Sequence, residues 1–136
     1  MKISMLAVVI AGLAASAALA DAPAGDAARG AAVFKAQCAA CHLQKASDPS
    51  PPIGPQLHGV VGRKAGSWDH FLYTDAMKKS GITWNAKLLD QYLENPYSLV
   101  PGAAMGLLVP VEKNRADVIA YLSSSPEELR QKDRAP

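Results

Sequence analysis

The chain has few cysteines, little excess charge and no clear sign of β-structure. Cys38 and Cys41 are the only cysteines among the 136 residues, so no other cysteine is left to explain. Lysine and arginine number 14, and aspartate and glutamate number 12, a balance that argues against a polybasic nucleic-acid binder. We find no internal repeat and no segment that clearly favours a strand. The remaining expectation is a helical domain.

The two cysteines stand in the pattern Cys38-Ala39-Ala40-Cys41-His42. Two cysteines two residues apart, followed at once by histidine, are typical of covalent attachment of a c-type haem. Each thiol can add to one vinyl group of the porphyrin, and the intervening residues set the distance between the sulfur atoms. His42 follows directly, so its imidazole can lie under the ring and bind the iron. The motif predicts one covalent haem c, held by Cys38 and Cys41, with His42 as an iron ligand.

Two other kinds of site use the same residue types. A dithiol redox centre normally lies at a helix N-terminus in a βαβ setting, whereas here the preceding segment looks helical and no strand-like run precedes it. A structural zinc site needs about four ligands. His58 or His70 could complete such a set with His42, but their spacing from the cysteines is unlike that of a zinc finger.

The N-terminus resembles a secretory signal peptide. Met1-Lys2 precedes an apolar run from Ile3 to Leu19, and Ala18-Leu19-Ala20 fits the small-x-small cleavage pattern. An uncleaved membrane anchor is the alternative, because the run is near the lower length limit for a membrane span. We expect a cleaved signal peptide at 1–20, one small domain at 21–125 and a charged tail at 126–136. Bacterial c-type haem is attached outside the cytoplasmic membrane, so the predicted location is the periplasm.

Helix-capping and helix-breaking residues predict four helices separated by long loops. Asp26 can cap a helix that runs to about Gln37. Thr74 or Asp75 can begin a short helix that ends near Gly81, a third helix follows Thr83 and ends at Asn95, and the last spans Glu112 to Leu122. Proline and glycine predict irregular chain at 43–66 and 97–110. Gly30, inside the first helix, suggests close approach of another backbone or simple tolerance of glycine.

The second axial position of the iron decides what such a site does. A filled position favours electron transfer, and an open one favours ligand binding or catalysis. Met105 is the leading candidate, because it lies in a loop after Pro101-Gly102 that can hold a thioether in place. His58, His70 and Met77 rank behind it, and Met77 falls in a predicted helix, where methionine usually fills the core.

Further motifs follow in a fixed order along the chain. They are Gly54-Pro55-Gln56-Leu57-His58-Gly59, Gly62-Arg63-Lys64, Tyr73-Thr74-Asp75-Ala76, Gly81-Ile82-Thr83-Trp84, Tyr92-Leu93-Glu94-Asn95-Pro96, Pro101-Gly102 with Met105, and Arg115 to Leu122. Together with the attachment motif they make residues 30–122 resemble the class I c-type cytochromes, which include mitochondrial-type cytochrome c and its periplasmic bacterial relatives. The resemblance implies an all-α class I fold, with four to five helices and long loops around one haem.

The resemblance also implies roles for individual residues. Tyr73 and Trp84 would hydrogen-bond a haem propionate, and Arg63 would lie close enough to help neutralise it. The carbonyl of Pro55 would hold the proximal imidazole, and Tyr92 would reach toward the sulfur of Met105. Core packing is the alternative role of each aromatic residue.

The chain departs from the pattern of the family in two places. Met77 stands where the family usually has asparagine, which removes hydrogen-bonding capacity near the haem. Ala103 and Ala104 replace a usual threonine and lysine, so one propionate hydrogen bond and one positive charge are missing. Tyr97 to Val111 contains no lysine or arginine.

These observations predict a monomeric periplasmic electron carrier that is not an enzyme. Its partners would be redox proteins in or at the periplasmic membrane, and nucleic acid is not expected as a partner. A dedicated cytochrome subunit of a periplasmic dehydrogenase is one alternative, with the apolar run from Gly106 to Val111 as its contact. A haem peroxidase or gas-binding protein with a labile sixth ligand is the other.

Overall fold

The structure is a computed structural model that describes residues 24–42, 53–57 and 59–124. The predicted signal peptide 1–20, the tail 126–136 and His58 lie outside the described residues. The described chain contains five α-helices, and they are α1 (Ala27–Val33), α2 (Asp75–Lys79), α3 (Ala86–Glu94), α4 (Pro96–Leu99) and α5 (Glu112–Ser123). Its only β-type pairing is an isolated antiparallel bridge between Lys64 and Thr83. The predicted all-α class is confirmed.

Helix α1 begins at the predicted cap and ends in a wider turn. The carboxylate of Asp26 accepts hydrogen bonds from the backbone N–H groups of Ala28 and Arg29. After Val33 the chain continues as a π-helical segment, Phe34–Cys38. Its wider winding is seen in the hydrogen bond from Ala39 N to Phe34 O, 2.9 Å long. Such π-turns are common at functional sites, and this one leads directly into the cysteine motif.

Glycine permits α1 to cross α5 at backbone contact. A Cβ atom on Gly30 would lie 1.9 Å from the carbonyl oxygen of Asp117 and 2.8 Å from Cβ of Tyr121. The close approach suggested by the sequence is therefore present. Beside the crossing, the rings of Phe34 and Tyr121 pack with their centroids 5.5 Å apart.

A buried carboxylate stabilises the same crossing of α1 and α5. Asp117 on α5 is only 2% exposed. It accepts hydrogen bonds from the backbone N–H of Asp26 at 2.7 Å and from Arg29 Nε at 2.9 Å. Because these donors favour the charged form, the pKa of the Asp117 carboxyl lies well below its usual range. Asp26, which caps α1, and Arg29, which pairs with Asp117 on α5, are thus only three residues apart along the chain.

The middle helices begin at side-chain caps. The hydroxyl of Thr74 accepts from Met77 N at the start of α2, and the amide of Asn85 accepts from Leu88 N at the start of α3. The sequence predicted irregular chain from Tyr97 onward, and this was wrong for the first residues of that segment. Asn95 caps the short helix α4, whose first residue is Pro96, because proline is well accommodated in the first turn of a helix.

The apolar core lies between α3, α5 and the π-helical segment. Its most deeply buried members include Val109 and Val118, each 0% exposed. Leu89, Leu93 and Leu122 contribute from α3 and α5, and all three also line a cavity described below. None of the helices in the described part of the chain is long and apolar enough to cross a membrane.

The backbone contact at Gly30 makes a stability prediction. Gly30→Ala would gain about 1 kcal/mol of helix propensity, but the methyl group would meet the Asp117 carbonyl. We expect the steric cost to exceed this gain in helix propensity, so that the free energy of unfolding falls by about 1–3 kcal/mol. Denaturant unfolding followed by circular dichroism measures it. Ala32→Ser adds one atom on the exposed side of α1 and serves as the control, and equal stability of Gly30→Ala and wild type would contradict the contact.

The depressed pKa of Asp117 makes a pH prediction. Its ion pair stabilises the fold fully above about pH 4, the usual pKa of an unfolded carboxyl. This contribution is lost as the pH falls toward the lower pKa of the folded state. Asp117→Asn should therefore cost stability at pH 7 and progressively less as the pH falls below about 4. Unfolding free energies at several pH values test it. Asp75→Asn, at an exposed site on α2, should follow wild type, and a pH-independent cost of Asp117→Asn would contradict the assignment.

Candidate functional site

One cavity of about 320 Å³ collects the residues that the sequence singled out. The seven predicted site residues all line it, and they are Cys38, Cys41, His42, Arg63, Tyr73, Trp84 and Met105. Met77 lines the same cavity, whereas His70 is exposed and does not. Of the candidates for the second iron ligand, the structure therefore brings Met105 and Met77 to the cavity, and His58 lies outside the described residues.

The cysteine motif forms a turn at one wall of the cavity. The backbone N–H groups of Cys41 and His42 both donate to the carbonyl of Cys38, at 3.0 and 2.8 Å. This turn places both thiols and the imidazole along the same wall. Burial, and the neighbouring Cys41, raise the pKa of the Cys38 thiol to about 11. A dithiol redox centre has the opposite shift, since its attacking thiol is held as a thiolate.

His42 is oriented by a backbone carbonyl. Its Nδ1 lies 2.8 Å from the carbonyl oxygen of Pro55, and since a carbonyl can only accept, Nδ1 carries the proton. Nε2 is then the nitrogen left with a lone pair, an arrangement typical of metal-binding histidines. Burial lowers the pKa of His42, which favours the neutral ring. A Cβ on Gly54 would lie 2.5 Å from the ring, so glycine is needed beside it.

Arg63 and Trp84 are held together by paired backbone segments. The N–H of Trp84 donates to the carbonyl of Arg63 at 3.0 Å, and the N–H of Gly62 donates to the carbonyl of Trp84 at 2.8 Å. Arg63 Nη2 also donates to the carbonyl of Gln56 at 2.7 Å, and burial lowers the pKa of its guanidinium. These contacts bring a half-buried cation and an indole to one side of an otherwise mostly apolar cavity.

The Met105 side of the cavity is largely apolar. Met105 is half-buried, and Met77, Tyr92 and Leu93 line the same space. Burial raises the pKa of Tyr92 to about 12, with a further contribution from Tyr97, so its hydroxyl keeps its proton. Met77 adds an apolar side chain to this region of the cavity.

The sequence did not single out Trp68, which lies beside the polar side of the cavity. The Arg63 Cζ atom lies 5.1 Å from the centroid of the Trp68 ring, within cation–π distance. The indole Nε1 of Trp68 is buried and has no hydrogen-bond partner among the residues that the structure describes. The presence of a tryptophan in the loop between Gly66 and Tyr73 could have indicated a role near the site. A sequence alone, however, does not show which way an indole points.

The donor set of the cavity fits a haem. It offers two thiols, an imidazole with one nitrogen oriented by Pro55, a thioether and an apolar interior. Arg63, Tyr73 and Trp84 add hydrogen-bond donors suited to the carboxylates of the porphyrin. Within 24–42, 53–57 and 59–124, no group of three or more histidine, cysteine, aspartate or glutamate residues could hold a metal ion.

Comparison with known proteins agrees with this reading of the cavity. The family model for cytochrome c matches residues 27–126. The chain is similar to cytochrome c2 of Rhodomicrobium vannielii, with 51% identity over 104 residues that cover 74% of this chain and 80% of the relative. It is also similar to cytochrome c of Cochliobolus lunatus, with 50% identity over 101 residues, 72% of this chain and 91% of the relative.

A third relative gives the same result. Cytochrome c of Tetrahymena pyriformis is 48% identical over 103 residues, which cover 75% of this chain and 91% of the relative. The family-model match, residues 27–126, spans the described helices and the residues that line the cavity. The chain therefore belongs to the cytochrome c family, whose members are electron carriers with one covalently bound haem c.

Proposed function

We propose that this protein is a monomeric periplasmic electron carrier whose haem iron is bound by His42 and Met105. Cys38 and Cys41 would form the thioether bonds. The observation that carries the proposal is that Met105 lines the same cavity as the Cys38-to-His42 motif, although it lies far from that motif in sequence. When bound, the haem supplies an iron that accepts and returns one electron.

The protein's own residues keep the site unchanged during this exchange. His42 is fixed by the Pro55 carbonyl, so its ring needs no rearrangement when the charge on the iron changes. The apolar lining excludes water, and Tyr92 remains protonated beside the thioether. A rigid, dry site of this kind favours electron transfer over substrate chemistry.

Arg63, Tyr73 and Trp84 are proposed to bind a propionate of the haem. Burying a carboxylate is costly unless hydrogen bonds and an opposite charge compensate for lost water. Arg63 provides the charge, and the hydroxyl of Tyr73 and the indole of Trp84 provide donors from the same cavity wall. The pKa of Tyr73 is raised by burial, which keeps the hydroxyl available as a donor.

The periplasmic location rests on the N-terminal sequence and on the resemblance to a cytochrome c2. Cleavage after Ala20 would remove residues 1–20 and leave Asp21 as the first residue. The intact mass of protein purified from the periplasm should equal that of residues 21–136 plus one haem. A mass that retains the first 20 residues, in a membrane fraction, would indicate an uncleaved anchor instead.

A dedicated subunit of a periplasmic dehydrogenase is the second candidate. Leu107, Leu108 and Val111 are exposed by 41, 49 and 52%, and the first of these also lines the cavity. Exposed apolar residues at the mouth of a redox site suit a lasting contact. Size-exclusion chromatography of native extract separates the two functions, since a permanent subunit should co-elute with an enzyme and a free carrier should elute as a monomer.

Replacing the proposed thioether ligand tests the site directly. Met105→Leu keeps the apolar volume and removes the sulfur, so we expect the weak far-red band of the ferric protein to vanish. The reduction potential should fall, because thioether ligation raises it. Absorption spectra of both redox states and a redox titration measure these changes.

Met77→Leu is the matched control, because it makes the same change in the same cavity. It should keep the far-red band. Rapid binding of carbon monoxide to the reduced wild-type protein at neutral pH would contradict stable Met105 ligation and favour a gas-binding protein or peroxidase. Loss of the band in Met77→Leu but not in Met105→Leu would assign the ligand to Met77.

The absence of lysine and arginine from 97–111 predicts a weak salt dependence of electron transfer. Oxidation of the reduced protein by hexacyanoferrate(III) probes the charge near the haem. Raising salt from about 0.01 M to about 1 M shortens the screening length from about 30 Å to about 3 Å. Electrostatic steering changes association rates by about tenfold or more. We expect the rate of this protein to change by much less over the same range of salt.

Ala104→Lys provides the comparison for this experiment. Ala104 is exposed and lines the cavity, so the variant adds one positive charge beside the site without filling its interior. Its rate should start higher at low salt and fall more steeply. A steep fall in the wild-type rate would show that charges elsewhere on the surface steer the reaction.

A further inference from the structure

Arg115 is the only buried lysine or arginine in the described part of the chain, and it lies outside the cavity. It belongs to α5 and is 5% exposed. A buried cation needs several partners to offset the loss of water. Its hydrogen-bond and ion-pair partners therefore show which parts of the fold this group holds together.

The guanidinium of Arg115 joins three parts of the structure. Nη1 donates to the carbonyl oxygens of Val109 and Pro110, at 3.0 and 3.1 Å. Nε donates to Asp90 on α3 at 2.7 Å, and Nη2 lies 3.7 Å from Glu94 on the same helix. The same side chain thus connects α5, α3 and the end of the segment that carries Met105.

The segment around Met105 has few other attachments. Before it, the N–H of Ala103 donates to the carbonyl of Val100 at 2.9 Å, and after it the N–H of Val109 donates to Leu93 O at 2.8 Å. Between these points, residues 104–108 form no backbone–backbone hydrogen bond with any residue that the structure describes. Met105 packs against the apolar core, whereas Leu107 and Leu108, the next two large side chains, are exposed by 41 and 49%.

We propose that Arg115 is a positioning residue for the Met105 thioether. It fixes the carbonyls of Val109 and Pro110, and thereby the chain only four residues beyond Met105. Without this anchor, the loop would move away from the cavity more often and the iron–sulfur bond would break more frequently. The inference rests on the proposed function, since it requires Met105 to bind the iron.

The planar fork of arginine is the reason that lysine cannot substitute. One nitrogen of the guanidinium serves two carbonyls while Nε serves a carboxylate, and an ammonium group cannot reach all three acceptors in this geometry. Arg115→Lys should therefore keep the charge and lose the carbonyl contacts. Since Val109 is fully buried, its carbonyl would then lack a donor.

The rate at which added imidazole binds to the ferric protein measures this motion. At saturating imidazole, the rate is limited by dissociation of the methionine ligand. We expect Arg115→Lys to raise the saturating rate by about tenfold, the size expected when hydrogen bonds of a buried group are lost. The far-red band should persist in the absence of imidazole.

Asp117→Asn is the control for general loss of stability. It breaks the α1–α5 ion pair on the same helix, and its hydrogen-bond partners are Asp26, Arg29 and Lys113, none of which belongs to the Met105 segment. Rates are compared after the unfolding free energy of each variant is measured. If Arg115→Lys and Asp117→Asn raise the rate equally per unit of lost stability, Arg115 is merely structural and the inference is wrong.

Failure of the inference and failure of the proposed function give different results. A wild-type protein without the far-red band would refute Met105 ligation itself. A wild-type band with an unchanged imidazole rate in Arg115→Lys would refute only the role of Arg115. If Arg115→Lys does not fold, Asp90→Asn tests the same inference, because Asp90 is the partly exposed ion-pair partner of Arg115. The weakened ion pair should raise the saturating imidazole-binding rate about threefold. An unchanged rate would contradict the inference.

Discussion

The backbone contact between α1 and α5 is the constraint on which the rest of the structure depends. Helix α1 leads into the cysteine motif, and α5 follows directly after the segment that carries Met105. Fixing the crossing at Gly30 therefore fixes where the cysteine motif begins and where the Met105 segment ends. The buried Asp117 pairs with Arg29 at the same crossing, so one small region sets the relative position of the two walls of the cavity.

Backbone carbonyls hold several of the polar side chains in and around the walls of the cavity. The Pro55 carbonyl orients His42, the Gln56 carbonyl accepts from Arg63, and the Val109 and Pro110 carbonyls accept from Arg115. This is expected where long loops surround an apolar cofactor, because each loop has backbone groups that must find partners. The cofactor then supplies the apolar surface that a domain of this size lacks.

Much of the site could be predicted from the sequence, because its chemistry depends on residue types at fixed spacing. The Cys38-to-His42 motif and the caps at Asp26 and Thr74 are local patterns, and the structure has them where they were expected. Helix α4 was missed because Pro96 was read as the end of a helix rather than as the first residue of the next. Trp68 and Arg115 were missed for another reason, since their importance depends on contacts with residues that only the fold brings near.

The central claim, that one porphyrin lies between His42 and Met105, is tested most directly by proton NMR of the ferrous protein with labelled methionine methyl groups. A methyl group bound above a porphyrin is shifted far upfield by the ring current. Met105 ligation predicts one such signal, which is absent from Met105→Leu and unchanged in Met77→Leu. A wild-type spectrum without any upfield methionine methyl, or with one that disappears only in Met77→Leu, would contradict it.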